Sequence, residues 1–319
     1  MGELQRRDFL RLGLAVAFGC GLNRGTARVL AEGLAALASG TLRVIWLEAQ
    51  SCSGCSVSLL NSDNPGPAEV LTRVVSMIFH PTVSATQGHQ VSEVLAKARQ
   101  SGDYVLAIEG AIPVGMPSAC MLEEQPFATA ILPYLRQARA VVAMGSCAAH
   151  GGIPAAEGNP TGAVSVGEFM RQQGIARENK LVNCPSCPTH PESIVGTLAW
   201  LGARGYPPVH PTLYTPEMFY SMSTHDECPR FHAYDKKEFA TKFGEAHGCL
   251  FKLGCLGPLS FTNCPTRQWN GGVNWCIRAS APCIGCTSPE FALRKAFPFY
   301  RVNEATGGAP TNEADRGRH

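Results

Sequence analysis

From position 41 onward, short apolar runs alternate with helical stretches. Residues 42–47 form a β-rich run containing Val44, Ile45 and Trp46, and the run stops at a turn over 50–55. Residues 104–108 form a second run, closed by Gly110 and Pro113, and 138–144 a third, ending in Gly145-Ser146-Cys147. A short fourth run, 180–183, leads into Cys184-Pro185-Ser186-Cys187. Helical periodicity appears between them, for example over 91–99 and 166–173. This alternation predicts an α/β fold with a parallel, doubly wound sheet. Cys52 and Cys55, Cys147, and Cys187 each fall just past the carboxyl end of a predicted strand, where open α/β sheets bind ligands. Beyond about Trp200 the texture changes. Tyr206-Pro207-Pro208 and Pro211 look like a crossing segment, and after them only short helical patterns are visible, over 238–243 and 291–296, with no period-two strands. The chain therefore divides into a leader, 1–38, an α/β domain, 41–205, an irregular loop-rich domain, 206–300, and a polar tail, 301–319.

Composition supports a globular body, with 45% apolar and 16% charged residues. A formal net charge of +2 gives no reason to expect nucleic acid or an anionic membrane surface as partner. The first residues read as a targeting segment. Arg6-Arg7-Asp8-Phe9-Leu10 is a twin-arginine pattern, followed by an apolar run over 12–22 and a small-residue site at Ala36-Leu37-Ala38. Eleven residues interrupted by Gly and Cys are too few to span a bilayer, and no apolar C-terminal segment follows, so no membrane span is expected.

The leader changes how the 14 cysteines are read. In a chain exported unfolded they would suggest disulfides. A route that carries folded proteins lets metal centres be inserted first, and thiolates already bound to iron are not free to oxidise. Twelve residues of ligand type can be sorted into three sets of four: Cys52, Cys55, Cys147 and Cys187; His225, Cys228, Cys249 and Cys255; and Cys264, Cys276, Cys283 and Cys286. Four thiolates, or three and an imidazole, are what a cubane iron–sulfur cluster needs. Two-residue spacing occurs at Cys52/Cys55, Cys184/Cys187, His225/Cys228 and Cys283/Cys286. Zinc sites use closely paired ligands, which the single Cys147, Cys249, Cys255 and Cys264 do not provide. An isolated histidine is ordinarily a surface or core residue. His225 becomes a candidate ligand because it lies three residues before Cys228, and Cys249 and Cys255 otherwise lack a fourth partner. A Rieske centre needs two histidines on one iron, and neither His232 nor His247 repeats that spacing. Three such clusters would form a wire for electrons.

These residues resemble the small subunit of nickel–iron hydrogenases. The resemblance runs from the twin-arginine leader to about Tyr300. It is carried by Val44-Ile45-Trp46 leading to Cys52-Ser53-Gly54-Cys55-Ser56, by Glu109-Gly110-Ala111-Ile112-Pro113, and by Gly145-Ser146-Cys147-Ala148 with Gly151-Gly152-Ile153-Pro154. Cys187-Pro188-Thr189-His190-Pro191, Gly254-Cys255-Leu256-Gly257-Pro258, Cys264-Pro265-Thr266 and Cys283-Ile284-Gly285-Cys286 complete it. The resemblance implies a flavodoxin-like first domain and a large-subunit partner that holds the Ni–Fe centre and splits H2. It further implies a proximal 4Fe–4S cluster on Cys52, Cys55, Cys147 and Cys187, and a distal one on His225, Cys228, Cys249 and Cys255. The medial cluster falls to Cys264, Cys283 and Cys286. Many relatives carry proline at the place of Cys276 and hold a 3Fe–4S cluster there. Cys276 supplies a fourth thiolate, as in selenium-containing and some other branches, and favours 4Fe–4S. Oxygen-tolerant membrane-bound members place extra cysteines about the proximal site, where this chain has Gly54 and Gly152, so that form of tolerance is not expected.

The function expected on these grounds is electron transfer from H2 oxidation, through three clusters, to an external acceptor such as a multihaem c-type cytochrome in the periplasm. A ferredoxin-like carrier without a catalytic partner and a zinc-stabilised binding protein are the alternatives. Cys20 falls in the leader, Cys184 is read as a bystander, and Cys120 as a packed thiol. Glu48, Glu109, Trp269 and Trp275 are expected to serve packing or hydrogen bonding.

Overall fold

A computed structural model describes residues 42–292. The leader, its twin-arginine pattern, Cys20 and the polar tail lie outside the described residues. Five parallel strands, β1 (Leu42–Glu48), β2 (Val75–Phe79), β3 (Val105–Glu109), β4 (Ala140–Met144) and β5 (Leu181–Cys184), make one sheet in the order β2-β1-β3-β4-β5. This is the flavodoxin-like strand order, with the reversal between β1 and β3. The expected α/β fold class is therefore observed.

The strands read as nearly continuous apolar runs because both sheet faces are covered. Val44 and Trp46, Val105 and Ala107, and Val142 and Met144 face one core, under α1 (Gly54–Leu60) and α6 (Pro191–Arg204). The alternate residues, Ile45 and Leu47, Leu106 and Ile108, and Val141 and Ala143, face the other, under α2 (His89–Ser101), α3 (Leu132–Gln137) and α5 (Val166–Gln172). A further helix, α4 (Gly145–His150), follows β4 directly.

Register is what positions the site. Glu48 pairs with Glu109, Glu109 with Met144, and Met144 with Cys184, so β1, β3, β4 and β5 end in one row. The segments bearing Cys52, Cys147 and Cys187 all leave from that row.

β2 and α6 are among the elements that the sequence pattern does not indicate, and one expectation is overturned. β2 is an edge strand with a half-exposed centre, joined without punctuation to the helical turn Val70–Val74. The helix α6 is buried on most of its circumference, from Ser193 to Leu201, so its sequence carries no clean polar stripe. The helix expected over 238–243 is not formed. Phe239 instead makes a parallel bridge to Cys249, with Cys249 N donating to Glu238 O at 2.8 Å and Ala240 N to Cys249 O at 3.0 Å. The backbone there supports the chain segment that carries Cys249. The second helix, expected over 291–296, runs beyond the described residues.

After residue 205 the described chain contains only short helices, such as Glu217–Tyr220, Phe231–Asp235 and Cys264–Arg267. Its small core joins Ala240, Leu250, Leu253, Trp275 and Ile277 to Cys255 and Cys283. Among the described residues no helix is long and apolar enough to cross a membrane.

Candidate functional site

The first set of cysteines assembles at the row of strand ends. The chain leaves β1 through Gln50, which bridges to Ala111, into a turn where Ser53 adopts a left-handed conformation at the start of α1 without capping it through its side chain. Cys52 is exposed and Cys55 is buried in the first turn of that helix. The turn is anchored by the buried carboxylate of Glu109 at the end of β3. Cys55 N donates to Oε1 at 2.9 Å and Ser56 N to Oε2 at 3.0 Å. Ser51 Oγ and the Trp46 indole donate to the same group at 2.8 and 3.3 Å. Glu48 accepts from Ser53 Oγ at 3.0 Å. Both glutamates thus serve hydrogen bonding, as expected.

β4 delivers Cys147 through Gly145, and β5 delivers Cys187 through Ser186. Gly145 has φ +85°, and a methyl there would lie 2.6 Å from Cys55 Sγ, so a side chain at this position would displace the thiol. Gly152, at φ +51°, would set one 3.0 Å from Cys147 Sγ. Gly54 adjoins Cys52 Sγ at 3.1 Å in the same sense. Gly54 and Gly152 thus abut sulfurs of this set. Burial pushes the Cys147 thiol up to about 11, with further contributions from the charges of Cys187, Cys52 and Glu109. Burial and the charge of Glu109 also raise Cys55, and Cys147 adds to this. The structure therefore brings together all four side chains of the first set.

His225, Cys228, Cys249 and Cys255 line one recess. The His225 ring is gripped edge-on by Phe231 and Tyr234, at centroid distances of 5.1 and 4.6 Å. Burial lowers the pKa of His225, so the ring is neutral at pH 7 and able to act as a ligand. Burial raises Cys255 to about 11, and the neighbouring Cys228 and Cys249 add to the shift.

Cys264, Cys276, Cys283 and Cys286 line a cavity of about 360 Å³, and Cys187 of the first set lines it too. Ser146 Oγ, beside Cys147, donates to the carbonyl of Cys286, and Leu256 N, beside Cys255, donates to Cys283 O at 2.7 Å. The Cys283 thiol is raised by burial, then by Cys255 and Cys286. The third set consequently adjoins both of the others.

Cysteine binds metal as thiolate, yet these thiols are pushed toward the neutral form by burial and by one another. A positively charged centre shared among four sulfurs reverses both effects. A single ion does not suit the geometry: among the described residues no three His, Cys, Asp or Glu side chains are arranged to hold one. Sulfurs spread around a recess fit an iron–sulfur cube, whose corners lie apart. All thirteen cysteines among the described residues are free of disulfides. Cys184 faces the core, 3.5 Å from Thr197 Oγ1, and Cys120 packs near Glu48 with burial raising its pKa, so neither joins a set. Trp275 is buried and Trp269 packs edge-on to His190 at 4.6 Å.

Sequence reasoning missed the hydroxyls around these sulfurs. Thr189 contacts Cys55 Sγ through its backbone N at 3.5 Å, and Ser186 Oγ lies 3.4 Å from Cys286 Sγ. Serine and threonine have no spacing signature, so only their adjacency to the cysteine motifs could have pointed to them.

Comparison with known proteins gives a consistent result. The family described as the C-terminal part of the NiFe/NiFeSe hydrogenase small subunit matches residues 220–300, and the NADH ubiquinone oxidoreductase 20 Kd subunit family matches 52–201. The chain is 38% identical to the periplasmic NiFeSe hydrogenase small subunit of Desulfomicrobium baculatum, over 93% of this chain and 99% of that one. It is 34% identical to the periplasmic NiFe hydrogenase small subunit 1 of Nitratidesulfovibrio vulgaris, over 93% of each. Among solved structures, the NiFeSe hydrogenase of Desulfovibrio vulgaris Hildenborough superposes with a TM-score of 0.77 at 38% identity, covering 83% of this chain and 99% of that one.

The Glu109 network generates a stability prediction. Glu109→Ala strands the buried donors of Trp46, Cys55 and Ser56 and should cost on the order of 3 kcal/mol or more. Glu109→Gln should cost less but still destabilise, because one carboxylate oxygen becomes an amide nitrogen facing donors. Urea denaturation of the assembled protein measures both; an unchanged midpoint in Glu109→Ala would show that the carboxylate is not the anchor.

Proposed function

The chain belongs to the family of nickel–iron hydrogenase small subunits, and from that premise we propose how its residues divide the work of the electron-transfer subunit. Cys52, Cys55, Cys147 and Cys187 hold a proximal 4Fe–4S cluster. Cys264, Cys276, Cys283 and Cys286 hold a medial one, 4Fe–4S rather than 3Fe–4S because Cys276 supplies the fourth thiolate. His225, Cys228, Cys249 and Cys255 hold a distal 4Fe–4S cluster. The observation that carries this reading is the adjacency of the third set to both of the others, which supports a linear order of first, third and second. The α/β unit over 41–205 serves the proximal centre, and the segment 206–300 the medial and distal ones.

When bound, the clusters supply one-electron carriers between H2 oxidation in the large subunit and an external acceptor. The chain's own residues fix where those carriers sit. Glu109 locks the Cys52–Cys55 turn, Gly145 makes room for Cys55 Sγ, and Ser146 ties the proximal loop to Cys286. The neutral imidazole of His225 replaces a thiolate charge, which makes its centre less negative and suits it to the exit position. The exposed Cys52 and the exposed apolar Val57 and Leu60 of α1 support a covering partner, the large subunit with its Ni–Fe centre, at this edge. A multihaem c-type cytochrome suits the acceptor role at the His225 side. The periplasm is the location, reached folded by way of Arg6-Arg7; the relatives described as periplasmic support this. A partnerless ferredoxin-like carrier is not favoured, because the similarity to hydrogenase small subunits extends over 93% of the chain.

Purification of the native complex tests the reading directly. The chain should co-migrate with a nickel-containing partner, and a chain that migrates alone while retaining its clusters would favour the carrier instead.

Iron and acid-labile sulfide analysis should give roughly twelve irons per small subunit, four per cubane. Cys276→Pro should lower that by about one iron and convert the medial centre to a 3Fe–4S form of higher potential. A stoichiometric three-iron signal in oxidised wild type would contradict the four-thiolate assignment, and stoichiometric zinc would contradict all three centres.

Replacing Arg6 and Arg7 together by Lys should trap both subunits in the cytoplasm while lysates still reduce dye with H2. Normal levels of the large subunit outside the cytoplasm would disprove export as one folded complex.

A further inference from the structure

The cavity of the third set is unusual in the hydroxyls that surround it. Ser186 Oγ lies 3.4 Å from Cys286 Sγ, and Thr262 Oγ1 lies 3.6 Å from Cys264 Sγ. Ser260 Oγ lies 3.4 Å from Cys283 Sγ, but its proton is committed to the carbonyl of Leu256 at 2.9 Å, so it only accepts there. Two more hydroxyls, on Thr224 and Thr287, belong to residues that line the same cavity. Both residues are almost wholly buried, 1% and 5% exposed, and neither Oγ1 has a hydrogen-bond partner. A buried hydroxyl left without a partner is costly and calls for an explanation. Among the described residues, Cys55 Sγ accepts from the backbone N–H of Thr189 at 3.5 Å and donates to its hydroxyl at 3.8 Å. Backbone groups meet Cys147 of the first set and Cys228, Cys249 and Cys255 of the second, whereas several side-chain hydroxyls gather about the third set.

We propose that Ser186, Thr262, Thr224 and Thr287 form a hydroxyl shell that raises the reduction potential of the medial centre. The inference rests on the assignment of Cys264, Cys276, Cys283 and Cys286 as ligands of a 4Fe–4S cluster. Once Cys264 and Cys286 bind iron as thiolates they carry no proton, so Thr262 and Ser186 become the donors in their contacts. Thr224 and Thr287 then find in the cluster's sulfurs the acceptors that the protein does not offer them. Hydrogen bonds to sulfur stabilise the more negative, reduced state and so raise the potential. A fourth thiolate acts in the opposite direction, because Cys276 adds negative charge to the middle carrier. The shell offsets that charge, so the middle carrier stays close enough in potential to its neighbours to pass electrons between them. These four residues tune the centre without ligating it.

The test uses the intact two-subunit enzyme. Thr224→Val, Thr287→Val and the double variant keep the branched side chain and remove the hydroxyl. In redox titrations followed by electron paramagnetic resonance, the medial midpoint should shift downward in each single variant and further in the double one. The proximal and distal midpoints and the iron content should not move. An unchanged or raised medial midpoint, with a complete four-iron signature, would overturn the proposal. Wild-type enzyme lacking a four-iron medial signature would instead overturn the ligand assignment, and the shell with it. A second measurement needs no variant: electron–nuclear double resonance on the reduced wild type in H2O and D2O. Exchangeable hydroxyl protons should couple to the medial centre, and their absence would overturn the proposal even if the valine variants fail to assemble.

Discussion

A single buried carboxylate holds the first site to the fold. Glu109 sits at the end of the central strand β3, in register with Glu48 on β1 and Met144 on β4. Its two oxygens take the first free N–H groups of α1 and the hydroxyls and indole around them. Helix N-termini leave such donors unsatisfied and favour negative charge. The carboxylate therefore does locally what a capping side chain does, but from a neighbouring strand. As a result the turn bearing Cys52 and Cys55 cannot shift relative to the sheet. The same charge opposes ionisation of Cys55 and Cys147, so the anchor that positions the thiols also makes their bare thiolate form costly. A positively charged centre bound by those sulfurs would remove that conflict.

The second half depends on the first for order and on its own cysteines for cohesion. Its core of Ala240, Leu250, Leu253, Trp275 and Ile277 is small, and Cys255 and Cys283 belong to it. With so few apolar side chains, a metal centre bound by those cysteines would contribute folding energy to this half. Two hydrogen bonds to backbone carbonyls tie the sets together: Ser146 Oγ to Cys286 O, and Leu256 N to Cys283 O. They link the strand-end loops to the third set and the third set to the second.

The α/β half was largely readable because its strands are apolar on both faces and end in glycine- and cysteine-rich turns. The grouping of Cys52, Cys55, Cys147 and Cys187 followed from strand ends together with the Cys187-Pro188 motif, which set Cys184 aside, and the structure brings those four together. β2 escaped because an edge strand with exposed centre lacks a continuous apolar run, and α6 because burial around its circumference erased the polar face. The reading of 238–243 as helix failed for a different reason. Local propensity was overridden by pairing of Phe239 with Cys249, a contact ten residues away that no local window contains. The hydroxyls of Ser186, Thr224, Thr262 and Thr287 were invisible for a related reason: a serine or threonine acquires meaning only from what folds against it.

That division between ligands and their surroundings has a physical basis. Ligand residues are dictated by bond chemistry, so they recur at spacings that can be read in one dimension. The potential of each centre is set by groups that touch sulfur without bonding to iron, and those come from scattered positions. The first set lies beside Thr189 and the carboxylate of Glu109, the second has aromatic rings about a neutral imidazole, and the third has several serine and threonine hydroxyls at its sulfurs. Three sets of four cysteine or histidine side chains thus acquire three different environments from one chain. Iron–sulfur centres held in surroundings that differ in this way would differ in potential, as steps along a wire require.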